Sequence, residues 1–185
     1  MDATGRTAPL ARLPLAAREV LIAIGASVLL ALSAKVEIPS WPVPMTMETF
    51  AVLAVGATLG ARRGGIAVAL WLAEGAFGLP VFAGATAGLA YMAGPTGGYL
   101  AGFLVATLLV GWCAERGARR RLLHLSLAMA GGLFAIYLFG VIGLAPYTGP
   151  WRALTVGVVP FLPGDVVKLL LAARMVTLGK RFLPG

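Results

Sequence analysis

The chain alternates long apolar runs with short basic or Pro/Gly-rich breaks, and the spacing of those breaks predicts its elements. Residues 1–18 are polar and hold Pro and Arg. Residues 20–34 form the first apolar run. KVEIPSWPVPMTME interrupts it, and Pro39, Pro42 and Pro44 exclude a continuous helix there. Residues 49–61 form a second run that stops at Arg62 and Arg63. Residues 64–79 form a third, interrupted by Glu74. LPVFAGATAGLAYMAGPTGG is a long connection with many glycines and two prolines. Residues 97–114 are the fourth run, followed by the basic cluster ERGARRRLLH. Residues 122–145 are the fifth, ending at PYTGPWR. The last run, residues 161–178, carries Asp165 and Lys168 close to its start. Runs approaching about 20 apolar residues are long enough to cross a bilayer as helices. The second and third lie near the lower limit and also read together as one hairpin dipping into the membrane. The pattern predicts an all-α integral membrane protein: a single domain over residues 1–185, with an N-terminal segment (1–18) and a six-helix bundle (19–183).

Composition strengthens this reading. The chain is 59% hydrophobic and 12% charged, with a mean hydropathy of +0.92. Soluble domains lie near 45–50% apolar and about 25% charged. The net charge of +8 does not point to nucleic acid, because the basic residues sit in short clusters between apolar runs and not on a polar surface. A single cysteine, Cys113, and a single histidine, His124, exclude an internal disulfide framework and a multi-histidine or cysteine metal cage. The basic N-terminus leads into a run without a small-residue cleavage site, so the first run is expected to be a retained helix and not a signal peptide.

Charge also predicts orientation. With six crossings and both termini in the cytoplasm, the inner side collects Arg6, Arg12, Arg18, Arg62, Arg63, Arg116, Arg119, Arg120, Arg121, Arg174, Lys180 and Arg181. Those are twelve of the 15 basic residues, the asymmetry expected of cytoplasmic loops. The outer side holds only Lys35 and Arg152. The long Pro/Gly-rich connections then all fall outside. Irregular backbone at membrane depth is tolerated where it is buried in protein or lines a cavity, so these outer loops are expected to cap a pocket.

Asp165 and Lys168 are the candidate centre of that pocket. Three residues apart on a helix, they share a face, and ionisable groups inside a membrane segment mark function or pair with each other. Pro163 and Gly164 just before them suit a helix start with free backbone N–H donors. Glu48 stands at the start of the second run, as a ligand carboxylate or as a solvated group favourable to the helix dipole. Glu74 either pairs with Lys168 or faces the pocket. Trp41, Phe82, Tyr91 and Tyr99 fall in or beside the outer connections, as ligand contacts or as an aromatic belt; Phe82 and Tyr91 flank the glycine-rich loop. Ala23, Ser27 and Ala31 form a small-residue row on the first helix that serves internal packing or a partner subunit equally well. GPTGGY is not a phosphate-binding loop, since it lacks the Gly-Lys-Ser/Thr ending and a strand before it. The chain shows no Ser/His/Asp set, HExxH or nucleotide fingerprint, although its outer carboxylates leave acid–base chemistry on a lipid open.

PVPMTMETFAVLAVGATLGARRG, LPVFAGATAGLAYMAGPTGGYLAGF and FLPGDVVKLLLA together resemble the BioY family, the biotin-specific S components of energy-coupling factor (ECF) transporters. The likeness runs from the first helix to the last. It implies a six-helix bundle in the cytoplasmic membrane of a prokaryote, with both termini on the cytoplasmic side. It also implies a biotin pocket closed by the first and third loops, with Asp165 and Lys168 on the polar groups of biotin. Trp41, Phe82, Gly84 and Tyr91 would surround the rings. Glu48 stands where the family more often has Gln; an ionised carboxylate accepts an N–H but cannot donate. No cofactor is expected in the chain. The implied partners are the lipid bilayer, a transmembrane coupling protein and two ATPases that use ATP, with the Ala23–Ser27–Ala31 row resembling the docking surface. A homo-oligomer stays open where that module is absent. Alternatives to biotin capture are an uptake protein for another small vitamin, a lipid-modifying membrane enzyme, and an assembly subunit without a ligand.

Overall fold

The computed structural model describes residues 14–179. Most of the N-terminal segment, including Arg6 and Arg12, and the terminal pair Lys180 and Arg181 lie outside the described residues. The chain runs α1 (Leu15–Lys35), a two-stranded hairpin of β1 (Glu37–Ile38) and β2 (Met45–Thr46), α2 (Glu48–Ala76), a 3-10 turn (Ala83–Ala85) and α3 (Leu89–Met92). It continues through α4 (Gly97–Glu115), a second 3-10 turn (Ala118–Arg120), α5 (Leu122–Thr148), α6 (Pro150–Gly157) and α7 (Leu162–Gly179). β1 and β2 are antiparallel, with Glu37 opposite Thr46.

Among the described residues, four helices are long and apolar enough to cross a membrane, or five if α6 and α7, bent by 54°, form one span. The outside of the bundle is apolar: Leu21, Val28 and Leu32 of α1, Phe134 and Ile142 of α5, and Leu170 and Leu171 of α7 are all exposed. An aqueous surface rarely carries apolar patches of that extent; a lipid-facing one does. These observations make the chain a multi-pass membrane protein.

The second and third apolar runs join within α2, and Gly60 decides how. Its φ of 82° and ψ of 178° break the helix, in a region that glycine occupies without penalty. Beyond it the chain turns back: a Cβ built on Gly64 falls 3.4 Å from Gly56 Cα, whereas eight residues of straight helix span about 12 Å. Glu115 Oε1 accepts the Ala61 N–H at 2.9 Å, satisfying a donor that the break exposes. Residues 48–59 and 61–76 are therefore antiparallel neighbours.

The core is built mainly by α2 with α4 and α4 with α5. Trp71, Phe82, Leu53, Leu125, Met129 and Ile136 are fully buried in it. Two expectations are corrected. The Pro/Gly-containing connection after the fifth run, residues 145–160, is not irregular throughout: after Gly149 (φ 84°), Pro150 starts α6, a position where proline's missing N–H costs nothing. The start of α7 does not offer the expected free donors at Leu162 and Asp165, because their N–H groups bond Val158 and Phe161 carbonyls at 3.2 and 2.9 Å.

The row Ala23–Ser27–Ala31 is also corrected as a surface. Ser27 is fully buried, Ala23 nearly so, and Ala31 packs against the core. Small side chains let α1 approach α2 closely, and the Ser27 hydroxyl donates to Glu74 Oε2. That bond removes Glu74 from both roles expected of it, pairing with Lys168 and facing the pocket. The open face of α1 carries Gly25, Val28, Leu29 and Leu32 instead.

Candidate functional site

Lys168 and Asp165 lie one turn apart on α7, and their burial decides what they do. Asp165 is 2% exposed. Its Oδ1 accepts Lys168 Nζ at 2.7 Å, and its Oδ2 accepts the Tyr137 hydroxyl of α5 at 2.8 Å. Lys168 Nζ also donates to the Thr46 carbonyl oxygen at 2.7 Å. The ammonium thus bridges α7 to the end of the hairpin. A buried charge is tolerated only with partners of this kind.

Glu48 completes the group. It is 5% exposed and begins α2, with one residue between it and the end of β2. Its Oε2 accepts the Thr46 hydroxyl at 2.6 Å. Its Oε1 is buried without a hydrogen-bond partner. An orphaned buried acceptor carries the desolvation cost of a polar group without the compensating bond, and a ligand N–H would supply that bond.

These side chains line one chamber at the end of the bundle that carries the hairpin. Thr46, Glu48, Thr49, Thr96, Asp165 and Lys168 contribute polar groups to its wall; Val43, Leu100, Phe103, Ile136 and Phe161 contribute apolar surface. Tyr99 lines it too, its hydroxyl donating to the Gly157 carbonyl at 2.7 Å. The remaining void is about 40 Å³, below the roughly 300–1,000 Å³ of open small-molecule sites. The chamber is nearly closed in this conformation, and its polar groups bond one another across it.

Phe82, Gly84 and Tyr91 belong to the connection between α2 and α4, which is pinned at several points. Trp71 Nε1 donates to the Val81 carbonyl at 3.2 Å. Lys35 Nζ donates to the Pro80 and Phe82 carbonyls at 2.6 and 2.8 Å. The Gly84 N–H donates to Glu37 Oε2 at 2.9 Å, and the Tyr147 hydroxyl donates to the Ala93 carbonyl. The Phe82 ring is fully buried, edge-on to Trp71 at 5.2 Å and stacked on Tyr91 at 5.4 Å. It presses so closely on Gly75 that no side chain fits there. Tyr91 lines the chamber, and Phe82 supports it from behind. Gly84 borders a second, outer space. Trp41 is not brought to either space; it is 80% exposed at the tip of the hairpin.

Tyr137, Thr46, Thr49 and Thr96 are chamber residues that the sequence reading missed. Tyr137 carried a usable signal. A phenol in the middle of the run AIYLF needs a hydrogen-bond partner when buried. The threonines carried none, since Thr is common in loops and at helix starts.

A membrane bundle with a nearly enclosed chamber, walled by apolar side chains around two carboxylates and one ammonium, defines a small-molecule capture protein. The BioY family profile matches residues 6–185, and the chain belongs to that family. It is 37% identical to the biotin transporter BioY of Rhizobium etli over 179 residues, covering 90% of this chain and 96% of that one. It is 39% identical to the biotin transporter BioY of Thermotoga maritima over 146 residues, covering 78% and 85%. The fold resembles a crystal structure of the S component for biotin from an ECF-type ABC transporter, with a TM-score of 0.82, 24% identity, and coverage of 92% of this chain and 94% of that one.

Proposed function

We propose that this protein captures biotin and mediates its uptake as the S component of an ECF transporter, and that it is not an enzyme. The observation that carries this is the constellation of Asp165, Lys168, Tyr137 and Glu48 in one buried chamber. Biotin's ureido group has two N–H donors and one carbonyl acceptor. Asp165 and the unpartnered Glu48 Oε1 accept N–H groups, and Lys168 donates to a carbonyl. Apolar walls receive the fused rings. A ligand lacking the ureido group leaves these groups unpaired, a cost that supports discrimination against close analogues.

The chamber must widen to admit a bicyclic ligand. The hairpin wall moves at the cost of few polar contacts, chiefly the Lys168–Thr46 bond and the Glu37–Gly84 bond, whereas the α2–α4 connection is held by further bonds to α1, α2 and α5. Six crossings fit this fold if α2 counts as two segments reversed at Gly60 and the bent α6–α7 pair as one. Both termini then lie on the cytoplasmic side of a prokaryotic inner membrane, in keeping with the arginines at residues 62–63 and 116–121. The hairpin and chamber face outward. A coupling protein with two ATPases supplies the energy from ATP, and α1 meets it through the exposed face of Gly25, Val28, Leu29 and Leu32.

Titrating the purified protein in detergent with labelled biotin tests the reading. Saturable binding that Asp165→Asn weakens is expected. No saturable binding to the folded protein would overturn it.

A further inference from the structure

The outer space beside Gly84 is separate from the polar chamber yet continuous with its mouth. Its volume is about 400 Å³, ten times that of the chamber. Pro44, Ala83, Tyr91 and Thr96 border both. A ligand whose polar ring reaches Asp165, Lys168 and Glu48 therefore directs its other end past Tyr91 and Thr96 into this vestibule.

The vestibule has a distinct chemistry. Pro39, Pro42 and Pro95 give it rigid apolar walls, Ser40 and Thr86 give it hydroxyls, and Glu37 is the one ionisable carboxylate that lines it among the described residues. No lysine or arginine among the described residues lines it. Lys35, at the adjoining end of α1, directs its ammonium to the Pro80 and Phe82 carbonyls. Glu37 is held in place because its Oε2 accepts the Gly84 N–H. A negative tail end entering here meets a like charge with no compensating cation, and a positive one meets its counter-ion.

We propose that the vestibule is a subsite for the tail of biotin amides that end in an ammonium group, with Glu37 selecting the charge of that end. The protein then takes amide-extended, amine-terminated biotin as well as the free acid. This rests on biotin being the ligand of the inner chamber. The roomy vestibule accepts the extension, the Tyr91 ring flanks the chain, and Glu37 fixes the terminal ammonium.

Displacement of labelled biotin from the purified protein, by free biotin, a neutral butylamide of biotin and the amide of biotin with a short diamine, tests this. The amine-terminated amide is expected to bind about three- to fivefold more tightly than the neutral one, the effect of one partly solvated ion pair. Raising the salt should shrink that preference. Glu37→Gln, which keeps an acceptor for the Gly84 N–H, should abolish it while free biotin still binds. Weakening of both amides by more than tenfold relative to biotin would overturn the subsite. A preference that survives both high salt and Glu37→Gln would overturn the role of Glu37. Failure of free biotin itself to bind would instead overturn the function proposed for the inner chamber.

Discussion

Tyr137 donates its phenolic hydrogen to Asp165 Oδ2 at 2.8 Å, leaving Oδ1 to Lys168. The two donors hold the carboxylate from different helices, α5 and α7 itself, so its orientation is set before any ligand arrives. Tyr137→Phe removes one bond to a charged acceptor and keeps the ring. Such bonds contribute about 1.5–3 kcal/mol. The expected result is roughly tenfold weaker biotin binding and a lower unfolding temperature; calorimetric titration and thermal unfolding that both match wild type would count against this bond.

Asp165→Asn and Lys168→Ala are each expected to weaken biotin binding by more than tenfold, about 1.4 kcal/mol or more. Lys168→Ala also frees the Thr46 carbonyl and releases the hairpin from α7, so it should speed ligand dissociation as well. Rapid-mixing kinetics separates the two effects. Wild-type affinity in both variants, with reduced thermal stability alone, would assign the pair a purely structural role.

Glu48→Gln changes a buried carboxylate with an unpartnered oxygen into a neutral amide of the same shape. Thr46 can still donate to the amide oxygen, and burying an amide costs less than burying a charge. Thermal unfolding should show a ligand-free protein that is more stable, by about 1 kcal/mol on the scale of a single hydrogen-bonding group. A drop in unfolding temperature would mean that the charge is compensated in a way the contacts of Glu48 do not reveal.

Gly75→Ala is expected to be costly despite its small size. The added methyl falls within the Phe82 ring, and overpacking a core costs about 1–3 kcal/mol. Because Phe82 supports Tyr91 at the chamber wall, both unfolding temperature and biotin affinity should fall. Unchanged affinity would show that the aromatic stack does not position the wall.

Gly25→Trp and Ser27→Trp separate packing from docking on α1. A side chain at Gly25 meets nothing within 4 Å, so Gly25→Trp should leave folding and biotin binding intact and reduce co-purification with the coupling subunits. Ser27→Trp places a large ring in a fully buried position beside Glu74 and should impair folding instead. Unimpaired co-purification of Gly25→Trp would exclude this face of α1.

The sequence by itself determined the class of protein. Runs of apolar residues broken by arginine clusters and by Pro/Gly-rich loops leave few ways to satisfy the backbone except helices in a bilayer, and that logic is local. Asp165, Lys168 and Glu48 were legible for a related reason: charges in or beside apolar segments are expensive wherever the chain goes. Only the tertiary structure decided which groups meet. It gave Tyr137 to Asp165 and Thr46 to Lys168 and Glu48, turned Ser27 and Glu74 toward each other, and left Trp41 outside. Those outcomes depend on the turn-back at Gly60 and on the rotation of each helix about its axis. In helices that are apolar on every side, no periodic pattern encodes that rotation; it is set by packing between residues far apart in the chain.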